Sequence, residues 1–128
     1  MSNRERGDLA SSFRHAIEGV RYVLAAERNA RIDLVVAILA ILVGAWLELS
    51  PLEWALVIAS VALVFAGEMA NTVVELTVDL ITLEEHPLAK HAKDVAAGAV
   101  LVAATSAALI GVLILGPRLW LKLAGMWR

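Results

Sequence analysis

Four polar side chains recur at intervals of three, four and four residues: Glu68, Asn71, Glu75 and Asp79. That spacing puts all four on one face of a helix. The chain leading into them, Trp54 to Gly67, carries no charge. Ionisable groups on so apolar a helix are costly and mark a site. Several carboxylates together could hold Mg2+, a hard cation that prefers oxygen ligands and often bridges phosphates. A carboxylate set partly in hydrocarbon, as Glu68 would be, suits a general base acting on an alcohol. Lys93, followed by Asp94, could neutralise a phosphate.

Other chemistries find no residues here. Without cysteine there are no disulfides, thiolate metal sites or thiol nucleophiles. There is no G-x-x-x-x-G-K-[ST] loop and no protein-kinase motif set. His86 and His91 are five apart across Pro87, a poor spacing for a two-histidine metal site. A net charge of −2 argues against nucleic acid as a partner.

The elements that must position these groups follow from composition. Of 128 residues, 60% are hydrophobic and 19% charged, with mean hydropathy +0.76. A soluble domain is nearer half apolar and a quarter charged. The excess lies in long runs, so we expect one all-α integral-membrane domain over residues 1–128. Three spans are predicted, at about 32–49, 52–83 and 94–116, against the roughly 20 residues a crossing needs. Ser50-Pro51 reads as a tight turn, and Glu84-Glu85-His86-Pro87 as a break between the second and third spans. No removable signal peptide is expected.

Phe13, Ala16, Ile17, Val20 and Leu24 recur at helical spacing, with Arg14, Glu18 and Arg21 elsewhere around the helix. This predicts an amphipathic surface helix over about 11–29. Six Arg precede the first span (Arg4, Arg6, Arg14, Arg21, Arg28 and Arg31), and none of the cations lies near Pro51. Lys90 and Lys93 lie between spans two and three, and Arg118, Lys122 and Arg128 follow the third. The bias predicts a cytoplasmic N-terminus. Trp46, Trp54, Trp120 and Trp127 then all fall at the outer boundary, where an aromatic belt belongs. Small residues Gly98, Ala103, Ala107 and Gly111 would let helices pack closely.

Depth follows from a rise of 1.5 Å per residue. Counting from Leu52 puts the inner boundary near Thr72. Glu68 and Asn71 lie just inside it; Glu75 and Asp79 emerge into water. Glu27, Arg28 and Arg31 reach the same level, as do Lys93 and Asp94. Three stretches thus bring acids and bases to the plane where a soluble anion and a lipid headgroup can meet. A pore lined by carboxylates fits less well, because the acids cluster at one end of the span.

The segments Glu68-Met-Ala-Asn71-Thr-Val-Val-Glu75-Leu-Thr-Val-Asp79 and His86-Pro-Leu-Ala-Lys90-His-Ala-Lys93-Asp94 resemble the small prokaryotic diacylglycerol kinase family, which includes the undecaprenol kinases. So do Gly19-Val-Arg21 and Glu27-Arg-Asn-Ala-Arg31, and the resemblance covers roughly Phe13 to Leu115. It implies a homotrimer of three-span subunits with a surface helix, and active sites between neighbouring subunits at the cytoplasmic boundary. ATP would be co-substrate and Mg2+ cofactor. By position, Glu68 matches the general base, and Glu27 and Glu75 the acids that hold Mg2+ and the phosphates. Asn71 matches a residue organising the site, with Asp79 and Arg31 in supporting places. Lys93 and Asp94 match nucleotide contacts, and Glu84, Glu85 and His86 do so more loosely. The loop residues look more like the undecaprenol branch than the diacylglycerol branch, which stands as the alternative. Asp33 departs from the histidine of the undecaprenol branch. The stretch around Asp8 lacks the ligand-contacting arginine of the diacylglycerol branch. A non-catalytic membrane oligomer or small pore is the competing class.

Overall fold

The structure, a computed structural model, describes residues 9–126. All regular structure among them is helical: α1 (Leu9–Ala26), α2 (Arg28–Trp46), α3 (Pro51–Ile81) and α4 (Pro87–Met126). α2, α3 and α4 are each long and apolar enough to cross a membrane. Arg4, Arg6, Asp8, Trp127 and Arg128, used above for orientation, belt and branch, lie outside the described residues.

The first helix ends earlier than the predicted 29. Glu27 is extended, with φ −96° and ψ 120°, and separates α1 from α2. Arg31 fixes this break. Its Nη1 donates to the carbonyls of Leu24 at 3.1 Å and Ala25 at 2.9 Å, satisfying the open C-terminus of α1. The second helix therefore starts at Arg28, four residues before the predicted 32.

It also stops at Trp46, not 49. Leu47 caps the helix and Glu48 takes a left-handed φ of 57°. Glu48 N–H donates to Ala45 C=O and Leu49 N–H to Gly44 C=O, both at 3.2 Å. These are the paired bonds of a Schellman C-cap. Leu49 folds back over Gly44, where an added Cβ would sit 2.9 Å from Leu49 Cδ1 and 3.1 Å from Trp54. Gly44 is what lets the turn close. Ser50 and Pro51, read above as the turn, instead start α3. Ser50 is the N-cap, Pro51 occupies the first turn, and Ser50 and Glu53 form a reciprocal capping box.

α3 and α4 run antiparallel in constant register. Asp79 meets Lys93, Gly67 meets Val100 and Ala103, and Glu53 meets Arg118. Of the small residues singled out on α4, Ala103 is buried against α3, while Gly98 and Gly111 face open space.

α4 exceeds the predicted 94–116 at both ends. Pro87 starts it, and the His86 Nδ1 accepts from Leu88 N–H at 3.2 Å. Pro117 lies inside the helix and does not end it. The far end is held by a clamp. Arg118 makes a bidentate pair with Glu53, Nε to Oε1 at 2.7 Å and Nη2 to Oε2 at 2.6 Å. Its Nη1 donates to the carbonyls of Leu47 and Glu48. Lys122 donates to the Trp46 carbonyl and sits 4.9 Å from that ring's centroid. Arg118 and Lys122 thus satisfy the carbonyl end of α2.

Candidate active site

α3 carries the centre of the site. Glu68, Asn71 and Thr72 are buried on one face; Glu75 is half-buried and Asp79 exposed. Burial within the chain therefore falls along this helix from Glu68 to Asp79. Glu68 is only 2% exposed, and its Oε1 has no hydrogen-bond partner. Asn71 Nδ2 donates to Glu75 Oε1 at 3.0 Å, which leaves Asn71 Oδ1 buried and unpartnered. Thr72 turns its hydroxyl back onto the Glu68 carbonyl at 3.0 Å. Buried polar atoms nearly always have partners. Two orphans on adjacent turns of one face are the strongest local sign that something else binds here.

Other acids surround Glu68. Glu27 at the α1–α2 break and Glu75 both lie within electrostatic range of it. Asp33 of α2 is closer still, its carboxyl within hydrogen-bonding reach of the Glu68 carboxyl. Sequence reasoning left Asp33 out of the site. Glu68 and Asp33 line a pocket of about 250 Å³ with Asn29, Ile32, Ala97, Val100, Leu101 and Ala104.

The remaining expected residues gather one step further out. A second cavity, of about 680 Å³, is lined by Asp79, Glu84, Glu85, His86, Lys90, Lys93 and Asp94. Four of its charges pair among themselves: Lys93 Nζ to Asp79 Oδ1 at 2.6 Å, and Lys90 Nζ to Asp94 Oδ2 at 2.7 Å. All four are substantially exposed, so both pairs exchange readily for a stronger anion or cation. Lys93, expected on a phosphate, is here held by Asp79. His86 caps α4 as well as lining the cavity. Arg31 bonds the end of α1 and no acid of the cluster.

Comparison with known proteins identifies the family. The prokaryotic diacylglycerol kinase family matches residues 14–115. An undecaprenol kinase from Bacillus subtilis is 44% identical over 108 residues, 84% of this chain and 88% of the relative. A diacylglycerol kinase from Synechocystis is 41% identical over 113 residues, 88% of this chain but 65% of that longer protein. A diacylglycerol kinase from Escherichia coli is 36% identical over 86 residues, 67% of this chain and 70% of the relative. The matched stretch begins within α1 and ends within α4, so it takes in every residue of both cavities. This chain belongs to the prokaryotic diacylglycerol kinase family.

Proposed function

We propose that this protein is an ATP-dependent lipid kinase that phosphorylates a membrane alcohol, undecaprenol in the first instance, at the cytoplasmic boundary of a bacterial cytoplasmic membrane. The observation that carries the reading is the buried Glu68 carboxyl with an unpartnered oxygen, at a pocket between apolar helices. A lipid hydroxyl presented there gives up its proton to Glu68 as its oxygen attacks the terminal phosphorus of ATP, and the bond from that phosphorus to the bridging oxygen breaks to release ADP. Phosphoryl transfer of this kind needs little beyond alignment and charge neutralisation. Lys93 and Asp94, with the Glu84-Glu85-His86 loop, form the nucleotide end, and Asn71 holds Glu75 toward it. The choice of undecaprenol rests on the kinship with the Bacillus protein.

Mg2+ fits the residues present. A metal that travels with a nucleotide takes one or two carboxylates and completes its shell with phosphates and water. Glu27 and Glu75 supply two, and no larger metal-ligating group of His, Asp or Glu occurs among the described residues. Bound there, Mg2+ would screen the phosphate charge. Asn71 keeps Glu75 oriented for that role.

In this reading the subunits form a homotrimer, with each site completed by a neighbour, and α1 lies on the inner membrane surface. The exposure of Leu9, Phe13 and Ile17 on α1 favours the surface position. The poorly buried face of α4 is where a neighbouring subunit would pack.

The test is phosphate transfer from labelled ATP to undecaprenol and to diacylglycerol in mixed micelles. Glu68→Gln should lower turnover by about 10²–10⁴-fold while the oligomer persists. Glu75→Gln should abolish Mg2+-dependent nucleotide binding. Loss of the oligomer in Glu68→Gln, with normal turnover in whatever remains assembled, would make Glu68 a packing residue. Transfer to neither lipid by the intact parent protein would favour a non-catalytic oligomer or pore.

A further inference from the structure

Asp33 is the acid that the proposed chemistry has not used. It enters the small pocket from α2 and Glu68 enters from α3, and their carboxyl groups come within hydrogen-bonding reach of each other. The α4 wall of that pocket is Ala97, Val100, Leu101 and Ala104, which brings no charge to either. The charged groups that face Glu68 from elsewhere are Glu27, at the α1–α2 break, and Glu75 of α3. Both are acids acting through their charge, so neither supplies a proton or a cation to the pair. Glu68 is buried, and solvent does little to screen it. Two carboxylates this close do not both stay ionised; one proton lies between them. The two groups therefore titrate as a pair.

We propose that Asp33 is a positioning residue for the general base: it keeps the shared proton and donates that O–H to Glu68, holding Glu68 ionised and aimed at the lipid hydroxyl. The inference rests on the lipid-kinase reading above. A base must be free of its proton when substrate arrives, and a hydrogen bond to the ionised form of a carboxylate favours that form. Without the donor, Glu68 is a buried charge among other acids and has no fixed orientation. As the lipid O–H bond breaks, its proton passes to Glu68 and its electron pair forms the bond to phosphorus. Asp33 keeps its own proton through this step. The pair then holds two protons and releases one to water before the next turnover.

The experiment measures kcat and the KM for MgATP across pH in the parent protein, Asp33→Asn and Asp33→Leu, with undecaprenol in mixed micelles. Asparagine is a permanent donor, and leucine has nearly its shape and no donor. Asp33→Leu should lower kcat by about 10–100-fold, as expected for a lost bond to a charged group, with the KM for MgATP little changed. Asp33→Asn should recover most of that loss. It should also stay active at alkaline pH where the parent declines, because raising the pH strips the shared proton from the pair and leaves an amide intact. If the leucine variant does not assemble, Asp33→Ala takes its place; if neither assembles, the alkaline limb of Asp33→Asn decides alone. Asp33→Asn as impaired as the donor-less variant would overturn the assignment and make Asp33 act as a carboxylate. So would a donor-less variant as active as the parent, or an alkaline limb the same in Asp33→Asn and the parent. A parent protein inactive on undecaprenol and on diacylglycerol overturns the kinase reading itself, and this inference with it.

Discussion

At the scale of single residues, the site separates groups by how strongly their surroundings hold them. Glu68 and Asn71 are buried with oxygens unpartnered, whereas Asp79 and Lys93 are exposed and paired with each other. Exposed ion pairs contribute little. Asp79→Asn should therefore change stability by less than about 1 kcal/mol, read as the midpoint of unfolding in mixed micelles. A much larger loss would mean that the pair holds α3 to α4. Asn71→Ala should act differently. It removes the donor that orients Glu75, so nucleotide affinity should fall by about tenfold, measured by titration with MgATP. Much of this site was legible in the sequence, because Glu68, Asn71, Glu75 and Asp79 lie on one helix and the helix repeat alone aligns them. Asp33 was not. It lies on another helix, and only the packing of α2 against α3 brings its carboxyl to Glu68. The same holds for Lys93, whose partner is chosen by the register of α3 and α4.

At the scale of elements, three long apolar helices were readable from composition, and their ends were not. Helix ends depend on local bonds that a hydropathy run does not report. The α2–α3 turn has Glu48 in the left-handed region, where glycine is the usual occupant, so nothing in the sequence marked it. Glu48→Gly should stabilise the protein by about 1 kcal/mol, seen as a higher unfolding midpoint. Gly44→Ala should cost about 1–3 kcal/mol, because its methyl would press on Leu49 and Trp54. No loss in Gly44→Ala would show that Leu49 repacks freely. Pro117 misled in the opposite sense. A proline in a helix removes one backbone bond and invites a stop. Arg118 and Lys122, just beyond it, bind the end of α2 and carry the helix on to Met126.

At the scale of the whole molecule, the most apolar stretch of α4 is only 6% buried, and a Cβ added at Gly98 or Gly111 would meet nothing among the described residues. Such a face is covered by lipid or by another copy. A sequence does not distinguish those two covers, since both reward apolar side chains, and so the proposal of a homotrimer rests on family resemblance alone. Cross-linking of the purified protein in mixed micelles should give a ladder that ends at three subunits. A ladder ending at one or two would require each site to be complete within fewer chains. The way α3 is joined to α4 carries one more consequence. Glu53 and Asp79 lie roughly 39 Å apart along α3 at 1.5 Å per residue, close to the thickness of a bilayer with its headgroup regions. Joined by the short connection 82–86 at one end and by the Glu53–Arg118 clamp at the other, the two helices cannot slide past each other to shorten. The hairpin is thus a ruler of fixed length. In a thinner or thicker membrane the mismatch falls on the lipid or on the tilt of the whole bundle, which gives this protein a preferred acyl-chain length even before any lipid reaches its active site.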